Sequence, residues 1–248
     1  MFDMFEIEHF TENKREVEVV VLNERQNGIL AFLEQEGRAS VKKLAEHFFV
    51  SEMTVRRDLK EMERCGYLQR YNGGAVYSGR DELPVNIRKF THLKEKKPLT
   101  QNAKKFLKDY DTVFIDSSST CMYIIPVLAE YKGIKLVTNS VQNLLAAAEY
   151  HIPCIITGGS YYEHDMCCIG GMAEEFMRNI NVDVAFFSLL GITDDGIISD
   201  SDEAQLAVRK AAMQNSKKNV FFFDESKKGK RYIYTVCRAE EADGIFVL

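Results

Sequence analysis

Several short clusters in this chain hold side chains suited to binding an anion. Asp116 ends the apolar run TVFID and is followed by Ser117, Ser118, Ser119 and Thr120. Asn139 and Ser140 follow IKLVT, Gly158 and Gly159 follow CIIT, and VFFFD ends in Asp224, with Ser226 and Lys227 just beyond. Hydroxyls, small residues and backbone N–H groups at a helix start are what a phosphate needs, and a lysine adds a positive charge. Singly, each cluster fits a structural role about as well, as a helix cap or an exposed turn. Their recurrence at the ends of successive apolar runs points to one site. A further cluster suggests different chemistry. In SEMTVRRDL, residues 51–59, two adjacent arginines precede an aspartate in a chain of formal net charge −5.

Periodicity supplies the elements that must position these residues. Near the amino terminus three helical patterns follow one another: 24–37, a second opening at the N-cap candidate Ser40, and a third opening at Ser51. The third places Val55, Leu59 and Met62 on one face. At about 100° per residue, Met53, Arg57, Lys60 and Arg64 lie opposite, with Thr54 and Arg56 at the margins. Asp58 falls beside the apolar stripe, so it is expected to accept an internal hydrogen bond or pair with a base. The arginines face outward. GYLQRYNGGAVY then reads as two strands around Asn72-Gly73-Gly74, a hairpin signal that also presents Arg70. Helix, helix, tight turn, basic helix and hairpin make a winged helix-turn-helix pattern.

VSEMTVRRDLKEMERCGYLQRYNGGAV resembles the DNA-binding signature of the DeoR family of bacterial transcriptional regulators. The resemblance implies a double-stranded DNA operator as partner, met by Ser51, Met53, Thr54, Arg56, Arg57, Lys60, Arg64, Arg70, Asn72 and Gly73. Two positions depart from the family pattern. Phe49 stands in the inter-helix turn, where a small or polar residue is usual, so either the turn is strained or the ring packs inward. Asn72 replaces a common wing histidine.

Beyond a charged connector over 78–98, expected to be partly helical over 85–95, short apolar strands alternate with helices. Strands are expected at 112–116, 134–138, 154–157, 184–190, 220–224 and 244–248, and helices at about 98–109, 119–131, 140–150, 171–179 and 202–217. Strands that are apolar throughout and separated by helices predict a doubly wound, mainly parallel α/β sheet, with ligands beyond the carboxyl ends of its strands. The same positions resemble the family's C-terminal sensor domain, similar in fold to sugar-phosphate isomerases and deaminases. By that resemblance, a phosphorylated sugar or related effector is held by Asp116 to Thr120, Asn139, Ser140, Gly158, Gly159, Glu203, Arg209, Lys210, Asp224, Ser226 and Lys227. Here Ser118 replaces a loop glycine, Ser188 and Leu190 stand where a glycine and often a polar residue occur, and Arg209 replaces a frequent lysine. The reading is therefore a ligand-controlled transcriptional regulator, a repressor of a carbohydrate-utilisation operon. The alternative is an isomerase or deaminase with a DNA-binding appendage, which needs a positioned base such as Asp116, Asp202, Glu203 or Asp224.

Bulk properties agree with two domains, 24–77 and 99–248, behind an acidic extension over 1–23. The charge balance is −4 over residues 1–23, +2 over 24–80 and −3 over the rest, a basic island between acidic flanks. No apolar run is long enough to span a membrane, and the acidic start is not a signal peptide. Six scattered cysteines without a CxxC pair read as reduced thiols of a cytoplasmic protein. No cofactor or metal is expected. A single small winged helix reads a short half-site, so a homo-oligomer is expected.

Overall fold

The computed structural model of the chain describes residues 22–64, 67–77, 85–89 and 93–247. Most of the acidic extension and residues 78–84 and 90–92 of the connector lie outside the described residues. In the first domain α1 (Glu24–Glu36) opens with a reciprocal cap, in which Asn23 and Gln26 each accept the other's backbone N–H, and it stops at Gly37, φ 73°. Then come β1 (Arg38–Ser40), α2 (Val41–His47), α3 (Glu52–Arg64), β2 (Leu68–Tyr71) and β3 (Gly74–Tyr77). Ser40 and Ser51 cap their helices by accepting from Lys43 N at 3.1 Å and Thr54 N at 3.1 Å. Ile29, Leu30, Leu33, Leu44, Val55, Leu59 and Met62 form the core. The hairpin turns at Asn72-Gly73, where Gly73 alone has positive φ, 94°. β1, unread in the sequence, pairs with β3 and makes the wing three-stranded, in the order β1-β3-β2.

The connector is helical in two pieces, α4 (Val85–Arg88) and α5 (Leu93–Thr100), the second tightening into a 3-10 stretch at Gln101–Lys105. The helix expected at 98–109 is thus displaced toward the amino terminus. Thr100 Oγ1 donates to the carbonyls of Lys96 and Lys97, and Asn102 to that of Leu99, so side chains take the acceptors a continuing helix would use.

The second domain centres on six parallel strands. β4 (Thr112–Ile115), β5 (Lys135–Thr138), β6 (Cys154–Ile156), β9 (Val184–Phe187), β12 (Asn219–Phe223) and β14 (Gly244–Val247) lie in the order β14-β12-β9-β4-β5-β6. Alternation along these strands builds a core on each face: Val113, Ile115, Phe186 and Phe222 on one, Phe114, Phe187, Phe221 and Phe223 on the other. α7 (Val141–Glu149), α8 (Gly171–Arg178) and α9 (Glu203–Gln214) match expectation. The helix expected at 119–131 is instead a 3-10 turn, Cys121–Ile124, leading into α6 (Ile125–Leu128). Pro126, near the start of α6, has no N–H to continue an earlier helix. Two small antiparallel additions are β7 (Ser160–Tyr162) with β8 (Cys167–Ile169), and β10 (Gly191–Ile192) with β11 (Ile197–Asp200) and β13 (Tyr234–Arg238). The strand expected at 184–190 ends at Phe187, because Ser188 N–H turns to donate to Asp116 Oδ2 at 3.1 Å.

Candidate functional site

Helix α3 separates its faces as its periodicity requires. Val55, Leu59 and Met62 are buried, whereas Met53, Arg56, Arg57, Lys60 and Arg64 are exposed. Asp58 is buried and turned inward: Arg25 reaches it through Nε at 2.7 Å and Nη2 at 3.3 Å, and Gln26 Nε2 lies 3.5 Å away. The aspartate therefore ties α1 to α3 and leaves the outer face basic. Arg56 pairs with Glu52 one turn earlier at 3.3 Å. Arg70 is drawn back by Glu63, its Nε at 2.7 Å and its backbone N–H at 2.8 Å, so it joins wing to helix. Ser51 and Thr54 are engaged in the cap, their hydroxyls 2.9 Å apart. A cleft of about 510 Å³ is lined by Arg57, Lys60, Glu61, Glu63, Arg64 and Arg70, with Asn72 and Gly73 exposed at the wing tip. Phe49 does not pack inward. Its φ is 54° and it is 95% exposed, which corrects the inward alternative and leaves the strained turn.

In the second domain the strand ends do converge. Asp116 is buried: Oδ1 accepts from Ser118 N at 3.1 Å and Ser118 Oγ at 2.5 Å, and Oδ2 from Ser188 N at 3.1 Å. Arg209 Nε lies 3.7 Å from Asp116 Oδ2, and its Nη1 bonds Asp200 at 2.9 Å. Burial raises the Asp116 pKa, partly opposed by the Arg209 charge. Asp116 thus anchors the loop it begins. Ser117 donates to Gln205 Oε1 at 2.5 Å. Gln205 in turn donates to Asp165, which pairs with Arg88 on α4. Ser119 Oγ accepts from Lys96 Nζ at 3.1 Å, and the same ammonium donates to the Arg88 carbonyl at 2.7 Å. Across the site Lys227 Nζ donates to Ser188 Oγ at 2.7 Å. Thr120 Oγ1 and Asn139 Oδ1 are buried with no hydrogen-bond partner among the described residues. Burial, together with the charge of Lys227, pushes the Lys96 pKa down to about 7; burial also lowers that of Lys227, against the pull of Asp224. The two ammonium groups and the hydroxyls of Ser119, Thr120 and Ser188 are groups that can donate to an anion, whereas Asn139 Oδ1 only accepts and suits a hydroxyl donor.

Other predicted residues have different duties. Lys210 is exposed on α9, one residue and hence about 100° round from buried Arg209, and it faces Met213, Gln214 and Glu241 instead of the strand-end cluster. Ser140 caps α7 by accepting from Asn143 N at 3.2 Å, and Asn139 Nδ2 donates to the Cys168 carbonyl at 3.2 Å. Gly158 and Gly159 have φ 71° and 114°, and a Cβ on Gly159 would sit 2.5 Å from the Ile169 carbonyl oxygen, so the backbone accounts for both. Ser226 Oγ turns back to Asp224. Glu203 accepts from the Tyr234 hydroxyl at 3.1 Å in a cleft of about 530 Å³ that also includes Tyr162, His164 and Asp202. The helix expected behind Ser117–Thr120 is too short to offer a strong dipole. Sequence reasoning missed Lys96, Arg88, Asp165 and Gln205. Among the described residues no group of His, Cys, Asp and Glu is arranged to hold a metal ion, and no helix is long and apolar enough to cross a membrane.

The chain is similar to known transcriptional regulators over most of its length. The glycerol-3-phosphate regulon repressor of Escherichia coli (strain K12) is 27% identical over 227 residues, 90% of this chain and 89% of the relative. The L-fucose operon activator of Haemophilus influenzae is 29% identical over 228 residues, 91% of each chain. The HTH-type transcriptional regulator IolR of Bacillus subtilis is 30% identical over 201 residues, 80% of each. Among solved structures, ribose 5-phosphate isomerase from Plasmodium falciparum aligns with a TM-score of 0.40 and 16% identity, covering 54% of this chain and 52% of that one. Residues 25–80 match the DeoR-like helix-turn-helix domain and residues 91–247 the DeoR C terminal sensor domain. With both domains matched in this way, the chain belongs to the DeoR family of DNA-binding transcriptional regulators.

Proposed function

We propose that the chain represses a carbohydrate-utilisation operon, and that a phosphorylated sugar bound among Ser119, Thr120, Lys96 and Lys227 controls its hold on DNA. The observation that carries this reading is the convergence of two buried or half-buried lysines on the hydroxyls of Ser119 and Ser188, at the carboxyl ends of β4 and β9. A relative named for the glycerol-3-phosphate regulon and another named for the L-fucose operon fit a regulator that answers to a metabolite. Binding without turnover fits the candidate bases. Both Asp116 oxygens are occupied, Asp202 caps α9 through Ala204 N at 2.8 Å, Asp224 accepts from Ser226, and Glu203 accepts from Tyr234. DNA recognition is assigned to the exposed face of α3, with Arg57 and Lys60 at its centre and the wing beside it.

A thermal-shift screen of the full chain against phosphorylated sugars tests the effector reading, since a ligand selective for the folded state raises the melting temperature. The sugar phosphate giving the largest shift is then titrated by calorimetry. Replacing Lys227 by Ala removes a charge-assisted contact of about 1.5–3 kcal/mol, so affinity falls roughly tenfold to a hundredfold while ligand-free DNA binding persists. Equal affinity in wild type and Lys227→Ala would sink the site assignment, and product formation from the same sugar phosphate would favour an enzyme.

A further inference from the structure

Two apolar side chains stand in solvent beside the basic helix: Phe49 is 95% exposed and Met53 80%. They flank the cap of α3, four positions apart, with Ser51 between them. Phe49 has φ 54°, in the left-handed region where a residue with a Cβ is strained and glycine or asparagine is at ease. Strain of this kind persists where something else is gained. Packing is not the gain. The neighbouring Phe48 shows what packing looks like, with its ring 4.8 Å from His47 and 6.3 Å from Phe32, whereas Phe49 points away from the domain.

The surroundings decide what covers this patch. Arg56, Arg57 and Lys60 are exposed on the same helix, so the complementary surface is polyanionic. In a helix-turn-helix the first residues of the recognition helix approach base edges in the major groove. There the apolar group a duplex offers is the 5-methyl of thymine, which side chains such as Phe recognise by contact. We propose that Phe49 and Met53 read thymine methyl groups in the bound site, which makes Phe49 a specificity-determining residue of the turn. The inference rests on DNA recognition by α3.

The test uses the full-length chain and a duplex enriched by it from a random-sequence pool. Each thymidine is replaced in turn by 2′-deoxyuridine, which removes only the methyl group, and binding is followed by fluorescence anisotropy. At one or two positions the wild type loses about threefold to fivefold in affinity, as expected for one buried methyl group. Phe49→Ala or Met53→Ala binds the methylated and unmethylated duplexes alike at those positions. Phe49→Asn, suited to the left-handed backbone, keeps or raises the melting temperature while losing the discrimination. A wild type indifferent to every replacement overturns the proposal, as do methyl penalties unchanged in Phe49→Ala or a lowered melting temperature in Phe49→Asn. A wild type that enriches no duplex overturns it together with the DNA-binding assignment of α3.

Discussion

Lys96 sits where burial and the charge of Lys227 push its pKa down to about 7, so the folded state holds fewer protons than the unfolded chain between about pH 7 and 10.5. This group therefore opposes folding most below pH 7, and stability rises with pH across that window. A bound phosphate reverses the balance by favouring the ammonium form. A phosphate monoester is already largely dianionic above pH 7, its second pKa being about 6, so the lysine governs what happens there. Affinity for the sugar phosphate chosen by thermal shift should fall between pH 7 and 8.5, with proton uptake on binding. Calorimetry in buffers of different ionisation enthalpy measures that uptake, and Lys96→Gln should reduce it, leaving what Lys227 contributes; the same uptake in both proteins would contradict the argument. Lys227 was legible in the sequence because Asp224-Glu225-Ser226-Lys227 closes an apolar run. Lys96 was not, because it stands among Lys94 and Lys97 in a charged stretch, and only folding brings it to Ser119, 23 residues on.

At the scale of elements, α3 was legible nearly to the residue, since a one-sided apolar stripe leaves only one way to bury it. The inward Asp58 followed from the same geometry, although its partner, Arg25, lies 33 residues away and no local pattern names it. Asp58→Ala removes a carboxylate that is 3% exposed and joins α1 to α3. It should cost about 1–3 kcal/mol and lower the melting temperature of the first domain. Differential scanning calorimetry would register the loss, and an unchanged transition would show the pair to be dispensable. The six parallel strands were legible because a sheet covered on both faces needs apolar runs. The short antiparallel strands β1, β7, β8, β10, β11 and β13 have no such run: exposure breaks it in β1, β7 and β13, and β8, β10 and β11 are only two to four residues long, β11 ending in the buried polar pair Ser199-Asp200. Helix boundaries failed where side chains compete for backbone groups, at Thr100 and Asn102, or where proline interrupts, at Pro126.

Across the whole molecule, one winged helix offers a single exposed α3, and a pair of copies would meet two half-sites one helical turn apart. Homo-oligomerisation through the second domain is the expected arrangement. Several large apolar side chains there are exposed, including Met172 at 75% and Leu145 at 59%, and stand ready to be covered. Light scattering at micromolar concentration should give a mass at least twice 28.4 kDa. A monomer with and without DNA would refute this. The forked ammonium of Lys96 has a consequence at this same scale. Its protons are shared between buried Ser119, in the proposed effector site, and the Arg88 carbonyl on α4, in the segment that joins the two domains. If the proposed effector binds there, whatever it draws from that cation is drawn from the tether too. Thermodynamic reciprocity then runs in both directions: if filling the cluster loosens the tether by some factor, clamping the tether by a bound duplex must weaken the cluster's affinity by the same factor. Occupied operator would, in that sense, set the metabolite concentration at which the protein responds.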